Sequence, residues 1–410
     1  MLLVRGKLRV ITLASVGLLA ALCTATTTTY AHDSIVFIVF DVPGAKFTSP
    51  VSINDQGEIV GWWSSVGYLD QPHGFVRDRC GTITSFDVPG ATATDVLFTQ
   101  SINREGDSVG IWYGRSGEPG GFLRHRNGKI TSSLVPGAAT SSAESINDSG
   151  DVLGTFSDPD GTSGGFVRDE HGAVTPFNVP GAAALMPQSI NNKGTSVGNW
   201  SENPDSNFFH GFVRDKTGST TSFDVPGAMA TYPASINDKG QIVGSWSATL
   251  FAFHGFLRDR DGTITLFDVA GAAATNPYRI NDKGEIAGYW SDPASHAHGF
   301  VRHVDGTITL FDAPGAVLTI AASINAHGEI TGEYYDKANV LHGFVRVPSH
   351  GEESREGCDR PTRPDGEEDA TTERAMATAA LALRSDAPAA PRPPADPRTR
   401  PTSGRSSGRG

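Results

Sequence analysis

The stretch that decides the fold is Ser235-Ile236-Asn237-Asp238-Lys239-Gly240-Gln241-Ile242-Val243-Gly244-Ser245-Trp246. It continues through His254-Gly255-Phe256-Leu257-Arg258 to Gly262-Thr263-Ile264-Thr265-Leu266-Phe267-Asp268-Val269. Asn237 to Gly240 predicts a tight turn, because Asx and Gly supply the backbone conformations that hairpin turns need. The turn joins a strand ending at Ile236 to one over Gln241–Trp246. Gly255–Asp259 reads as a third strand, and Arg260-Asp261-Gly262 turns the chain into a fourth, Thr263–Val269.

Working outward, the same signatures recur along the chain. The Asn stands at Asn54, Asn103, Asn147, Asn191, Asn237, Asn281 and Asn325, which define units 1 to 7. Ser-Ile precedes it in every unit but the sixth, where Arg279 replaces Ser. Seven residues on comes a Gly, and two further an aromatic: Trp63, Trp112, Phe156, Trp200, Trp246, Trp290 or Tyr334. A Phe-x-Arg follows, then a Phe-Asp-Val-Pro-Gly-Ala-like segment. Four-stranded units of about 45 residues are the signature of propeller blades.

The count closes on itself. Phe40 to Ala45 is a fourth-strand motif standing before any complete unit, while unit 7 (Ile324 to Arg346) has three strands and no fourth. Residues 32–346 number 315, or seven times 45. The expected fold is an all-β, seven-bladed β-propeller of four-stranded repeats, with the strand from about Ile35 to Val42 closing the last blade.

Ile-Asn-Asp-x-Gly-x-Ile-Val-Gly followed by His-Gly-Phe-Val-Arg resembles the bacterial extracellular repeats named HAF after their His-Ala-Phe core. Here the core reads His-Gly-Phe in five units and Gly-Gly-Phe at Gly120 and Gly164. The resemblance spans essentially all of 32–346. It implies a secreted repeat protein and brings no catalytic residues with it.

The flanks differ in composition. Residues 1–31 read as a signal peptide: cationic Arg5, Lys7 and Arg9, an apolar stretch from Val10 to Cys23, and a small-residue exit before cleavage after Ala31. Residues 347–410 hold ten Arg, eleven acids and nine Pro, a composition that predicts disorder. With +3 in the leader and −1 in the tail, the chain total of −12 leaves −14 on 32–346. That charge excludes a nucleic-acid footprint. No segment is apolar for long enough to be embedded in a membrane, so the expected location is secreted or periplasmic. Three cysteines make no disulfide framework, and Cys80 reads as a lone thiol in a turn.

Residues present in every unit are expected to hold the fold: the aromatics by packing, the Arg by pairing with a carboxylate or carbonyl, the His by strand-end hydrogen bonds. No Gly-x-Ser-x-Gly elbow, His-Glu-x-x-His or zinc-spaced Cys pair occurs, so no catalytic residue, metal or cofactor is assigned. Function is sought where the units differ. The second-to-third loops are two residues longer in units 1 and 4, and the connection into unit 2, from Ala91 to Ser101, is three residues longer. Four antiparallel strands put all these changes on one face, where binding usually lives. The candidate ligand-binding residues there are Trp62, Tyr68, Asp70, Asp95, Phe98, Glu202, Asp205 and Phe208, exposed aromatics beside carboxylates that suit a polysaccharide or an extracellular protein. The expected function is a secreted, non-enzymatic binding protein. The alternatives are a glycan-active hydrolase or lyase with unrepeated carboxylates around the central channel, and a purely structural surface protein.

Overall fold

The computed structural model describes residues 9–11, 28–32, 35–68, 70–96, 100–132, 134–203, 205, 207–249 and 252–348. All named elements among them are strands. The β-branched and aromatic runs flanking each Asn–Gly turn pair into antiparallel meanders. In unit 5 these are Ala230–Ile236, Ile242–Ser247, Phe253–Arg258 and Ile264–Phe267, hydrogen-bonded in chain order. Five such four-stranded sheets are separate, and the remaining strands join into one ten-stranded sheet. The result is a β-propeller of repeated four-stranded sheets.

A bulge explains the repeated Gly. In unit 5 the innermost strand runs in register with its neighbour until Pro233↔Gly244, skips Ala234, and resumes at Ser235↔Val243. The same skip occurs in units 1, 3, 4, 6 and 7. It drives a carbonyl toward the facing Gly: a Cβ on Gly244 would lie 2.0 Å from the Tyr232 oxygen, and those on Gly154 and Gly332 equally close to Ser142 and Ile320. Only Gly accepts that approach.

Neighbouring units interlock through the repeated Phe and Arg. Phe75, Phe122, Phe166, Phe212, Phe256, Phe300 and Phe344 are fully buried. The guanidinium of Arg258 lies 4.8 Å over Phe223 of the preceding unit, and Arg302 and Arg346 stack likewise on Phe267 and Phe311. Several of these Arg also donate to the next residue's carbonyl, as Arg77 does to Asp78 at 3.2 Å. The carbonyl partner was expected; the ring of the preceding unit was not.

The centre is held by the repeated Asn. Asn54 Nδ2 donates to the Asn103 carbonyl at 2.9 Å, and the same bond runs from Asn103 to Asn147, then to Asn191, Asn237, Asn281 and Asn325. Asn325 Nδ2 donates in turn to the carbonyl of Asn54 at 3.1 Å, across 271 residues.

The N-terminal segment makes matching contacts. Ile35–Phe40 pairs antiparallel with Leu341–Pro348, His342 Nδ1 lies 3.0 Å from Asp41, and Arg77 stacks 4.8 Å over Phe40. The backbone of Thr28–His32 pairs with Ile35–Phe40, and Arg9–Ile11 with Thr28–His32. The boundary expected after Arg346 falls two residues early, because Val347 is buried and both it and Pro348 pair with the N-terminal strand. The rest of the tail and most of the leader lie outside the described residues. Cys80 is not a lone thiol: it is disulfide-bonded, and the other two cysteines, Cys23 and Cys358, lie outside the described residues.

Replacing Gly244 by Ala is expected to cost about 3 kcal/mol, the upper range for forced overpacking, because the obstruction is backbone. Urea denaturation measures it; a change below about 1 kcal/mol would refute the bulge argument.

Candidate functional site

The first-to-second turns of all seven units converge on one end of a central cavity of about 100 Å³. Repetition is strict here: Asn147 Oδ1 accepts from the Ser149 and Asp151 amides while its Nδ2 reaches the next unit. Elsewhere on the inner strands the units stop resembling one another.

Two registers diverge there. One is the residue skipped by the bulge, which is Glu144 in unit 3 and Tyr278 in unit 6. The other follows the repeated Gly, and is Trp62, Tyr289 and Glu333 in units 1, 6 and 7. The Tyr278 and Tyr289 rings meet edge-on at 5.4 Å. Tyr68 lies within electrostatic reach of Glu333, Tyr335 and Asp95, Tyr278 within reach of Glu333 and Tyr68, and Tyr113 within reach of Asp95 and Glu144. Five units thus place tyrosines and carboxyls within electrostatic reach of one another.

The carboxyls there are held off ionisation. Burial pushes Glu333 up to about 7, partly offset by the Ser49 hydroxyl beside it. Glu144 also rises to about 7 by burial, against a 2.6 Å bond from Ser142 Oγ. Asp95 rises to about 6 by burial, with the Val96 amide pulling the other way. Glu333 is 2% exposed, and its Oε2 has no hydrogen-bond partner among the described residues. Protonated carboxyls can donate as well as accept, which matches polyhydroxylated ligands and general acid chemistry alike.

The expected site residues separate. Trp62 is not an exposed platform: it is 1% exposed, in the strand Ile59–Ser64, packed with Phe47, Val96 and Leu341, and its indole is covered edge-on by Tyr68 at 5.2 Å. Tyr68 is 46% exposed and lies within electrostatic reach of Asp95. Asp70 is exposed, and its carbonyl accepts from Ser64 Oγ at 2.6 Å. Asp95 belongs to the strand Ala93–Asp95, paired with Ile111, rather than to a loop. The three added residues of unit 2 therefore fall between Val96 and Gln100, where other innermost strands carry their bulge. Phe98 lies outside the described residues. Glu202, Asp205 and Phe208 are exposed in the unit 4 loop. That loop serves its neighbour instead: the Thr231 amide donates to Phe209 at 2.8 Å, as the Thr94 amide does to Pro72 in unit 1.

Sequence reasoning missed Glu144, Tyr278, Tyr289 and Glu333. The usable signal was residue type at fixed distance from the repeated Gly and Asn, since these positions vary while both neighbours repeat. The repeated His are consumed structurally: His73 stacks on Trp63 at 4.7 Å and lies 2.9 Å from Asp87, and His254 and His298 do the same.

Because the folded state raises Glu333 above the ordinary 4.5, its contribution is favourable while the group stays protonated and is lost as pH rises from there through about 7. Glu333→Gln is expected to match the wild type near pH 5 and to be more stable near pH 8. Denaturant midpoints at the two pH values check this; an equal pH dependence in both proteins contradicts it.

No family model matches the chain, and no curated protein matches it in sequence. Solved structures do. The β-propeller domain of the Trilobed protease from Pyrococcus furiosus superposes with a TM-score of 0.52 at 10% identity, over 74% of this chain and 94% of that one. A puromycin-hydrolyzing peptidase from Mycobacterium tuberculosis gives 0.53 at 10% identity, over 78% of this chain and 55% of that one. A puromycin hydrolase gives 0.53 at 12% identity over 73% of this chain and 52% of its own. The chain spans about half the length of the two hydrolases. At these identities the likeness shows the β-propeller fold and nothing of the chemistry.

Proposed function

We propose that the chain is an exported, HAF-type repeat protein that closes a seven-bladed ring and binds a glycan, without turning it over, at the variable mouth of its central cavity. The observation that carries the binding reading is the convergence of unrepeated tyrosines (Tyr68, Tyr113, Tyr278, Tyr289, Tyr335) with Asp95, Glu144 and Glu333. Tyrosines offer apolar faces with polar tips, and the carboxyls offer both donors and acceptors to sugar hydroxyls. Closure is supported by the pairing of Ile35–Phe40 with Leu341–Pro348 and by the Asn325–Asn54 bond. Export is supported by the leader composition and by the disulfide at Cys80, since such bonds persist in oxidising compartments. Cleavage after Ala31 leaves the ring's own strand, Ile35–Phe40, in place.

A second reading rests on a separate observation. Carboxyls held near neutrality by burial are what a glycoside-cleaving acid or base requires, so a hydrolase or lyase is the alternative.

Deleting Ile35–Ala45 is expected to lower the melting temperature by about 10 °C or more, because it removes a strand, the Asp41 partner of His342 and the ring beneath Arg77. An unchanged melt sinks the closure argument. A screen of the mature chain against polysaccharides, with product analysis on the same samples, decides the function. Saturable binding without products, weakened about tenfold or more by Tyr68→Ala, is the expected result. Released products put the enzyme first, and the absence of both binding and turnover moves the reading to a structural role or an extracellular protein partner.

A further inference from the structure

Arg279 breaks the repeat at the strict end of the cavity. In four interfaces the Ser at this position accepts from the amide of the Ile in the next unit: Ile190 to Ser145 at 3.2 Å, Ile236 to Ser189 and Ile53 to Ser323 at 3.4 Å, and Ile280 to Ser235 at 3.5 Å. Between units 6 and 7 the acceptor hydroxyl is replaced by a guanidinium, which only donates. The Arg279 side chain is 5% exposed, lines the central cavity, and has no hydrogen-bond partner for Nη2 among the described residues. Burial alone draws its pKa down to about 9, with no neighbouring carboxylate to offset the loss of solvent.

The carboxylates of the same cavity are engaged elsewhere. Asp148 Oδ1 accepts from the Arg104 amide, Asp238 Oδ1 from the Asn192 amide, Asp282 Oδ1 from the Asp238 amide and Asp55 Oδ1 from the Ala326 amide, each at 2.8 Å. They tie the turns of successive units together and leave the buried guanidinium uncompensated.

We propose that Arg279 anchors a binding site for a small oxyanion inside the central cavity. A guanidinium presents a planar fork that matches two oxygens of a sulfate, phosphate or carboxylate. A cavity of about 100 Å³, where about 10–15 Å³ on the same measure holds one water, leaves room for such a group. The hydroxyls of Ser52, Ser235 and Ser323 line the same space and can add donors. The acidic turns around the opening disfavour large polyanions, so the site admits a small ion of one or two charges. This site is independent of the variable mouth.

The test is a sulfate titration of the mature chain and of Arg279→Ser at matched ionic strength, with chloride as control and melting followed by intrinsic fluorescence. Sulfate stabilises any protein through exclusion from its surface, so the difference between the two proteins is the readout. A saturable additional rise in the wild-type melting temperature, absent from Arg279→Ser, is expected; equal responses overturn the proposal. The variant restores the residue carried by the other six units. Should it not fold, wild-type crystals soaked in selenate decide: an anomalous peak beside the Arg279 guanidinium supports the site, and a cavity holding solvent alone overturns it.

Discussion

Everything in this fold depends on one side chain whose bonding capacity is filled seven times over in nearly the same way. Asn237 accepts through Oδ1 from the Lys239 and Gln241 amides, and donates through Nδ2 to Gln241 Oε1 and to the Asn281 carbonyl. Three of those bonds fold its own hairpin and the fourth fixes the distance to the next unit. Aspartate has no donor for that fourth bond, and glutamine carries an extra methylene. Because the amide is buried, a lost partner leaves a polar group without water, at about 1–3 kcal/mol for each unsatisfied group. Local turn and global spacing are therefore set by the same atoms, which is why the motif tolerates so little change.

The other repeated residues divide the remaining work. Arg and Phe register one unit against the last, and the His–Asp pairs stacked on aromatics fasten the third strand to the fourth and second. The Gly permits the bulge that drives a carbonyl of the first strand against the second. Each of these groups spends its chemistry on its neighbours, so little is left over for a ligand. A sevenfold motif on a rigid frame is a poor place to look for an active site.

This explains what was legible in the sequence. Strands and turns were readable to within a residue or two, because Asx–Gly turns and period-two runs are local signals; Ile242–Ser247 against the expected Gln241–Trp246 is typical. The partner of the N-terminal strand was readable because repetition turned a long-range pairing into a count. The site was less legible. Loop length located Tyr68 and the added residues of unit 2, but it could not reveal that Trp62 turns inward. Nor could it show that Asp95 sits in a paired strand. Burial and cross-unit proximity brought Glu144, Tyr278 and Glu333 together from units 3, 6 and 7, and no spacing within one unit encodes that. Cys80 was misread because three cysteines without a paired spacing encode no disulfide.

Two departures from repetition stand in adjacent units, one a carboxyl and one a guanidinium. Glu333 in unit 7 and Arg279 in unit 6 are both buried, each with an unpartnered atom. Neither perturbs the titration of the other. A chain free to relax would give such groups partners, since a buried polar group without one is among the most expensive features a fold can keep. Here the frame forbids it, because the Asn bonds and bulges fix where each innermost strand can go. Buried polar atoms left without partners lower the stability of the free protein, and a ligand can satisfy what the frame leaves unsatisfied. A scaffold stiffened by repetition can carry that cost in two units, and its exceptions are where the chemistry of this chain resides.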